Sequence, residues 1–206
     1  MNDDPTVHIV DDDPDVRAAL DGLFRSVGLG TRLHGSVTDF TQSKRTDGIA
    51  CVVLDVRMPG VSGLDFQAEL AASSQPLPIV VMTGHGDIPM TVRAMRAGAI
   101  DFLAKPFRDQ DMLDAVARAF EQSRAAIARR SENAGVEQRF QSLTPREREV
   151  MALVTAGRMN KQIADDLKIS EVTVKIHRGS VMRKMEVRSL ADLVRASETL
   201  GLPRST

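Results

Sequence analysis

Five polar residues stand directly after apolar runs in the first half of this 206-residue chain, and their types could bind a metal ion. Three are carboxylates (Asp11, Asp12, Asp55), one is a hydroxyl (Thr83) and one is an ammonium group (Lys105). Clustered carboxylates repel one another, so an arrangement that brings them together calls for a cation. Mg²⁺ is a hard cation that prefers carboxylate and carbonyl oxygens. If these side chains converge, they form a divalent-cation site flanked by one hydroxyl and one ammonium group.

Short apolar runs alternate with helical patterns through residues 1–122, and this alternation predicts how the five side chains meet. Because strands and helices alternate, we expect a mostly parallel sheet with helices on both faces. Ligands of such sheets bind beyond the carboxyl ends of the strands, which is where all five side chains stand. Asp13 needs no metal ion, because it can cap a helix that begins at Pro14. The predicted strands are residues 7–10, 31–34, 51–54, 79–82 and 101–103.

Charge is distributed unequally along the chain. Residues 1–122 carry a net charge of -7 and residues 123–206 one of +6. An acidic first half is typical of cation binding, and a basic second half is typical of polyanion binding. The single cysteine, Cys51, excludes an intramolecular disulfide and fits a cytoplasmic protein. No run approaches the roughly 20 apolar residues of a membrane span, so we expect no membrane partner.

The motifs around these residues resemble the receiver domain of bacterial two-component response regulators. The matching stretches are Asp11-Asp12, VVLDVRMPGVSG around Asp55, VVMTGHGD around Thr83 and DFLAKPF around Lys105. The resemblance implies a receiver domain over residues 1–122 with a five-stranded doubly wound parallel sheet of order 2-1-3-4-5. It also implies that Asp55 accepts a phosphoryl group from a sensor histidine kinase. No enzymatic activity is implied beyond self-phosphorylation and self-dephosphorylation at Asp55.

The same resemblance assigns roles to the other residues of the site. Thr83 and Lys105 would contact phosphoryl oxygens, as hydroxyl donor and as point charge. Thr83 and Phe102 would form a switch, in which phosphorylation draws Thr83 inward and Phe102 moves into the vacated space. A metal ion, Mg²⁺ or Mn²⁺, would be held by three carboxylates and one backbone carbonyl (Asp11, Asp12, Asp55 and Arg57).

A helical pattern leads from the acidic half into the basic half. Apolar residues at spacings of 3 and 4 begin after Asp109, and the pattern becomes more polar as it proceeds. It predicts a helix over about residues 109–134. The stop signal is either Asn133 or Gly135. Residues 123–141 would then serve as a helical linker between two domains.

Signals for the starts and ends of helices recur from residue 142 onward. Thr144 and Glu147 form a capping box, and Asn160 and Ser170 are the predicted caps of the next two helices. A fourth helix is expected to bury Leu190, Leu193 and Val194. Two helices joined by a short turn, the second rich in lysine and arginine, are typical of a helix-turn-helix.

This segment resembles the LuxR-type helix-turn-helix of FixJ/NarL-class regulators, which implies an all-α DNA-binding domain over residues 142–206. The matching stretches are LTPRE, NKQIA, SEVTVKIH and the KM before RSL. Lys175 and Ile176 stand where relatives contact bases in the major groove. Gly179 stands where some relatives have a long basic side chain, so their target sequences do not transfer. Phosphate contacts are expected from the other polar candidates of the same helix (Thr173, Arg178 and Lys184).

Together the two resemblances imply a cytoplasmic, phosphorylation-controlled transcription regulator, similar to the StyR/TodT regulators of aromatic-hydrocarbon catabolism. The implied partners are a sensor histidine kinase, double-stranded promoter DNA, RNA polymerase and, when phosphorylated, a second copy of the chain.

Two other classes share some of these features. Haloacid-dehalogenase phosphohydrolases also form an aspartyl-phosphate, but their DxD motif is followed by Gly-Thr or Gly-Val, whereas this chain has DDDPD. RNA or protein binding by the basic half is the other alternative. Aromatic residues for base stacking are scarce there, which counts against RNA.

Overall fold

The computed structural model describes residues 4–44, 48–58, 63–73, 76–84 and 88–202. The chain forms two compact units, residues 1–127 and 128–206. Across the described ranges, no helix is both long and apolar enough to cross a membrane.

Strands and helices alternate in the first unit, as the apolar pattern predicts. The elements are β1 (Thr6–Val10), α1 (Pro14–Ser26), β2 (Gly30–His34), α2 (Val37–Gln42), β3 (Ala50–Asp55), α3 (Gly63–Ala71), β4 (Ile79–Thr83), α4 (Ile88–Arg96), β5 (Asp101–Ala104) and α5 (Asp109–Gln141). Each predicted strand is confirmed to within one residue at either end. The Asp13 side chain caps α1 by accepting from the amides of Asp15 and Val16, with Pro14 as the first helical residue.

The five strands form one parallel sheet in the order β2-β1-β3-β4-β5, which confirms the expected topology. The register pairs Val10 of β1 with Leu54 of β3, and Thr83 of β4 with Ala104 of β5. Residues that end or follow these strands therefore lie along one edge of the sheet. That edge is the ligand-binding edge of open α/β folds.

Apolar side chains on both faces bury the sheet between two layers of helices. One face packs against α1 and α5, through residues such as Phe24 and Met112. The other packs against α2, α3 and α4, through residues such as Phe40 and Phe66. Cys51 lies on the first face, and burial raises the pKa of its thiol, so it is an inert core residue.

A buried histidine pair, which no sequence pattern indicated, packs against α2. His8 Nδ1 and His34 Nε2 are 3.0 Å apart, and both side chains are buried. The two rings stack, and Phe40 packs on each of them at a near-right angle. Burial lowers the pKa of His34, and the carboxylate of Asp39 only partly offsets this shift.

We expect acid to destabilise the first unit through His34. Because folding lowers the pKa of His34, the unfolded chain binds a proton there more readily than the folded chain as the pH falls through about 6.5. Urea unfolding followed by circular dichroism at about pH 7.5 and pH 5.5 compares the wild type with His34→Gln. The loss of stability on acidification should be smaller in the variant, which lacks the titrating imidazole. An equal loss in both proteins would contradict this role of His34.

Over its described residues, 128–202, the second unit contains four short helices and the last turns of α5. They are α6 (Pro145–Thr155), α7 (Asn160–Leu167), α8 (Glu171–Lys184) and α9 (Leu190–Thr199). The predicted capping box of Thr144 and Glu147 and the predicted Ser170 cap are confirmed. Buried side chains from all four helices, together with that of the α8 C-cap Met185, form its core (Val150, Met151, Ile163, Val174, Val181 and Leu193).

The predicted end of α5 at Asn133 or Gly135 is wrong, because the helix continues to Gln141. A glycine inside a helix costs about 1 kcal/mol relative to alanine. Beyond Gly135, however, Val136 is buried in the core of the second unit, and this packing offsets the cost.

Two further details of the second unit differ from the prediction. Asn160 is the first residue of α7 rather than its cap, since its side chain accepts from Arg178 and the side chain of Gln162 accepts from the amide of Met159. Leu190 is 45% exposed rather than buried, because the core-facing stripe of α9 begins one turn later.

Candidate functional sites

Three carboxylates meet at the carboxyl edge of the sheet, where the neighbouring strands β1 and β3 end. Asp11 and Asp12 follow β1, and Asp55 is the last residue of β3. Each offers one carboxylate oxygen, and these oxygens lie within 4.8 Å of one another. Asp11 and Asp55 are buried, whereas Asp12 is exposed. The structure therefore brings together the three acids that the sequence analysis singled out.

Lys105 bridges two of these carboxylates. Its Nζ donates to Asp11 Oδ2 at 2.7 Å and to Asp55 Oδ2 at 2.8 Å. Backbone amides donate to the other oxygens, from Asp13 to Asp11 Oδ1 and from Arg57 to Asp55 Oδ1, each at 2.9 Å. One ammonium group and one amide thus orient each of the two buried carboxylates.

Burial and ion pairing have opposite effects on the pKa values of this cluster. Burial raises the pKa of Asp11, and the hydrogen bond from Lys105 offsets it only in part. For Lys105, burial alone would lower the pKa, but its hydrogen bonds to Asp11 and Asp55 outweigh burial and raise the pKa. The ammonium group therefore stays charged at neutral pH and neutralises part of the acidic cluster.

Thr83 and Phe102, the predicted switch residues, lie on neighbouring strands. Thr83 ends β4 and is fully buried, and its backbone carbonyl accepts from the amide of Lys105 at 2.8 Å. Phe102 lies in β5, is partly buried and packs against the core on the α4 side of the sheet. The Lys105–Pro106 peptide bond is cis. Thr83 thus stands at the edge that carries the acids, and Phe102 lies one strand away.

Two residues that the sequence analysis missed support the acidic cluster. Arg17 of α1 donates from Nη1 to the backbone carbonyl of Asp11 at 2.6 Å. Gly63 begins α3 so close to β3 that a Cβ there would lie 2.7 Å from Val56 Cα and 2.8 Å from Asp55 O. Only glycine fits at this position without displacing the backbone beside Asp55. Gly63 is the last residue of the quoted stretch VVLDVRMPGVSG, but no pattern indicated its close approach to β3 or the contact of Arg17.

The donor set fits a small divalent cation. Three carboxylates supply the hard oxygen ligands that Mg²⁺ and Mn²⁺ prefer. The exposed carboxylate of Asp12 leaves the cluster open to solvent on one side, which suits a cation that keeps several water ligands. The amide of Arg57 contacts Asp55, and a role for its carbonyl as a ligand stays a prediction.

The predicted DNA contacts all lie on α8 but differ in exposure. Lys175 and Ile176 are exposed, as a contact with DNA requires. Thr173 is half-buried, and its hydroxyl lies 2.8 Å from Ser170 Oγ.

Arg178 and Lys184 have partners inside the second unit. Arg178 Nη1 donates to Asn160 Oδ1, and Lys184 Nζ donates to Glu147 Oε2, each at 2.6 Å. Burial alone would raise the pKa of Glu147, but hydrogen bonds from Lys184 and Thr144 outweigh it and lower the pKa. Each cation has further N–H donors beside the one that contacts its partner, so the phosphate contacts of Arg178 and Lys184 stay predictions.

Comparison with known proteins identifies both units. Residues 7–117 match the family described as response regulator receiver domain. The chain belongs to the response regulator family. Residues 141–197 of this response regulator match the bacterial regulatory proteins of the luxR family. The protein therefore joins a receiver domain to a LuxR-type DNA-binding domain, and both matches are to regulatory families rather than to enzymes.

Relatives of this response regulator match it over nearly the whole chain. Nodulation protein W of Bradyrhizobium diazoefficiens is 55% identical over 196 residues, 95% of this chain and 86% of that protein. Response regulator protein TodT of Pseudomonas putida is 44% identical over 197 residues, 94% of this chain and 86% of that protein.

Two solved structures that match nearly the whole chain are also similar to it. The response regulator StyR is 49% identical, with a TM-score of 0.78 and coverage of 95% of this chain and 98% of that chain. Full-length FixJ from B. japonicum is 38% identical, with a TM-score of 0.56 and coverage of 96% and 98%. The predicted resemblance to two-component regulators of the FixJ and StyR/TodT type is thereby confirmed.

Proposed function

We propose that Asp55 accepts a phosphoryl group and that this modification controls DNA binding by the second unit. The observation that carries the proposal is the contact of Lys105 with both Asp11 and Asp55. A phosphoryl group adds negative charge, which a cluster of acids alone would repel. A fixed ammonium group beside Asp55 offsets that added charge.

In the proposed reaction, a carboxylate oxygen of Asp55 attacks the phosphorus of a phosphohistidine on the sensor kinase. A P–O bond forms, the P–N bond breaks, and the imidazole leaves with the electron pair of the broken bond. Such transfer needs charge neutralisation and alignment more than covalent assistance, and Lys105 and Thr83 would each contact one phosphoryl oxygen. Mg²⁺ or Mn²⁺ supplies further charge neutralisation when bound by its proposed ligands (Asp11, Asp12, Asp55 and the carbonyl of Arg57).

The proposed switch then carries the change to the surface of the receiver. The Thr83 hydroxyl turns toward the phosphoryl group, and Phe102 moves into the space that this leaves. The new conformation shifts an existing equilibrium toward a homodimer, which presents two copies of α8 to half-sites about one helical turn apart. Hydrolysis of the aspartyl phosphate returns the receiver to its resting state.

Each segment of the chain has one role in this proposal. Residues 1–122 act as the receiver, residues 123–141 as a helical linker and residues 142–206 as the DNA-binding domain. The partners are the sensor histidine kinase, promoter DNA and RNA polymerase, so the protein works in the cytoplasm, where bacterial DNA lies. Within α8, Lys175 and Ile176 contact bases. The phosphate contacts come from the other candidates of this helix (Thr173, Arg178 and Lys184).

Mapping the modified residue tests the proposed acceptor. The full-length chain is treated with acetyl phosphate and Mg²⁺, reduced with borohydride, digested and analysed by mass spectrometry. Reduction converts an aspartyl phosphate into homoserine, so we expect a mass change at Asp55 that requires Mg²⁺. A change at another acid, or none at all, would contradict the proposal.

A further inference from the structure

The exposed face of α8 carries two large apolar side chains, which contacts with phosphates would not use. Val172 is 66% exposed and Ile176 is 63% exposed. Residues four apart on a helix are neighbours on its surface, so these two side chains lie side by side. Lys175, which is also exposed, borders this apolar pair.

The apolar pair lies outside the buried core cluster of the second unit. α8 packs through other residues, with Val174 and Val181 fully buried in the core. Exposed apolar surface is unfavourable in water, so Val172 and Ile176 gain free energy when a partner covers them. At Gly179, one turn further along, no atom lies within 4 Å of the place where a Cβ would be. Gly179 therefore leaves room for a partner to approach α8 closely.

We propose that Val172 and Ile176 select thymine in the target DNA by contacting its 5-methyl group in the major groove. The methyl group of thymine is the apolar feature that a base pair presents there. The net charge of +6 on residues 123–206 favours duplex DNA over an apolar protein surface as the partner. Lys175 beside the pair fits a neighbouring guanine, whose N7 and O6 accept hydrogen bonds. This inference rests on the proposed DNA-binding function and names a base that it reads.

Removal of thymine methyl groups from a selected duplex tests the inference. The full-length chain, phosphorylated with acetyl phosphate and Mg²⁺, selects its preferred sequence from random duplexes. Each thymine of that sequence is then replaced by uracil, which pairs identically but lacks the 5-methyl group. We expect binding to weaken about fourfold for each contacted thymine, the value for one lost apolar group of this size.

Variants assign that loss to the apolar pair. In the double variant Val172→Ala and Ile176→Ala, replacement of thymine by uracil should change the affinity by less than about 1.5-fold, because the methyl contact is already lost. Met159→Ala is the matched control, since it shortens an apolar side chain that is 67% exposed and lies outside α8. This control should keep the full response to uracil.

Three outcomes would overturn the inference. Wild-type binding that is indifferent to uracil, or a double variant as sensitive as the wild type, would do so while leaving the DNA-binding function intact. A phosphorylated chain that selects no sequence would overturn the proposed function, and the inference with it.

Discussion

Asp55→Asn should abolish the Mg²⁺-dependent labelling of this response regulator by acetyl phosphate. An amide oxygen is a much weaker nucleophile than a carboxylate oxygen, and the substitution also removes one of three acidic groups around the proposed metal site. Asparagine has nearly the same shape as aspartate, so the variant should keep the fold. Acid-labile incorporation of labelled phosphate into the full-length chain should fall to background.

Asp15→Asn is the matched control for this experiment. Asp15 is an exposed acid in the first turn of α1, outside the cluster of Asp11, Asp12 and Asp55. Its labelling should equal that of the wild type, whereas Asp12→Asn should still be labelled but need more Mg²⁺. Undiminished labelling of Asp55→Asn would show that another group accepts the phosphoryl.

Lys184→Met should lower the free energy of unfolding of the second unit by about 2 kcal/mol. Lys184 Nζ lies 2.6 Å from Glu147 Oε2, and Glu147 is buried, so the substitution leaves a buried carboxylate without its cationic partner. The loss stays below that of a fully buried pair because the Lys184 side chain is 32% exposed. Urea unfolding followed by circular dichroism measures it.

The pH dependence of this loss separates charge pairing from packing. The pKa of Glu147 is lowered in the folded chain, because its hydrogen bonds to Lys184 and Thr144 outweigh burial. The pair therefore stabilises the unit above the unfolded pKa of about 4.3, and its contribution disappears as the pH falls through the folded pKa. The loss of stability caused by Lys184→Met should accordingly become smaller in acid.

Arg183→Met is the control. It removes an exposed cation from the same helix and should cost less than about 0.5 kcal/mol. An equal loss in this control, or a deficit that does not change with pH, would rule out the ion pair as the cause.

The sheet could be predicted from sequence because its central strands are buried on both faces. Apart from their last residues, Asp55 and Thr83, β3 and β4 are continuous apolar runs, and every residue of both strands is buried. The order of the strands came from the resemblance to receiver domains. The end of α5 could not be predicted in this way, since the burial of Val136 depends on a core built from residues that follow it in the chain.

Within the sites, residue type and position predicted the acids but not the partners of the cations. Asp11, Asp12 and Asp55 could be found because each stands at the end of an apolar run. Lys184 was predicted to contact DNA because it is a cation on α8, but its partner Glu147 lies 37 residues earlier in the chain. The contact of Arg17 likewise depends on the path of the backbone between β1 and α1, which a pattern of charges does not show.

Control of DNA binding by Asp55 is tested most directly by the affinity of the full-length chain for its selected duplex, measured with and without acetyl phosphate in the presence of Mg²⁺. We expect phosphorylation to tighten binding by the wild type at least about fivefold and to leave Asp55→Asn unchanged. Equal affinities of the phosphorylated and unphosphorylated wild type, or an equal gain in the variant, would contradict the proposed control.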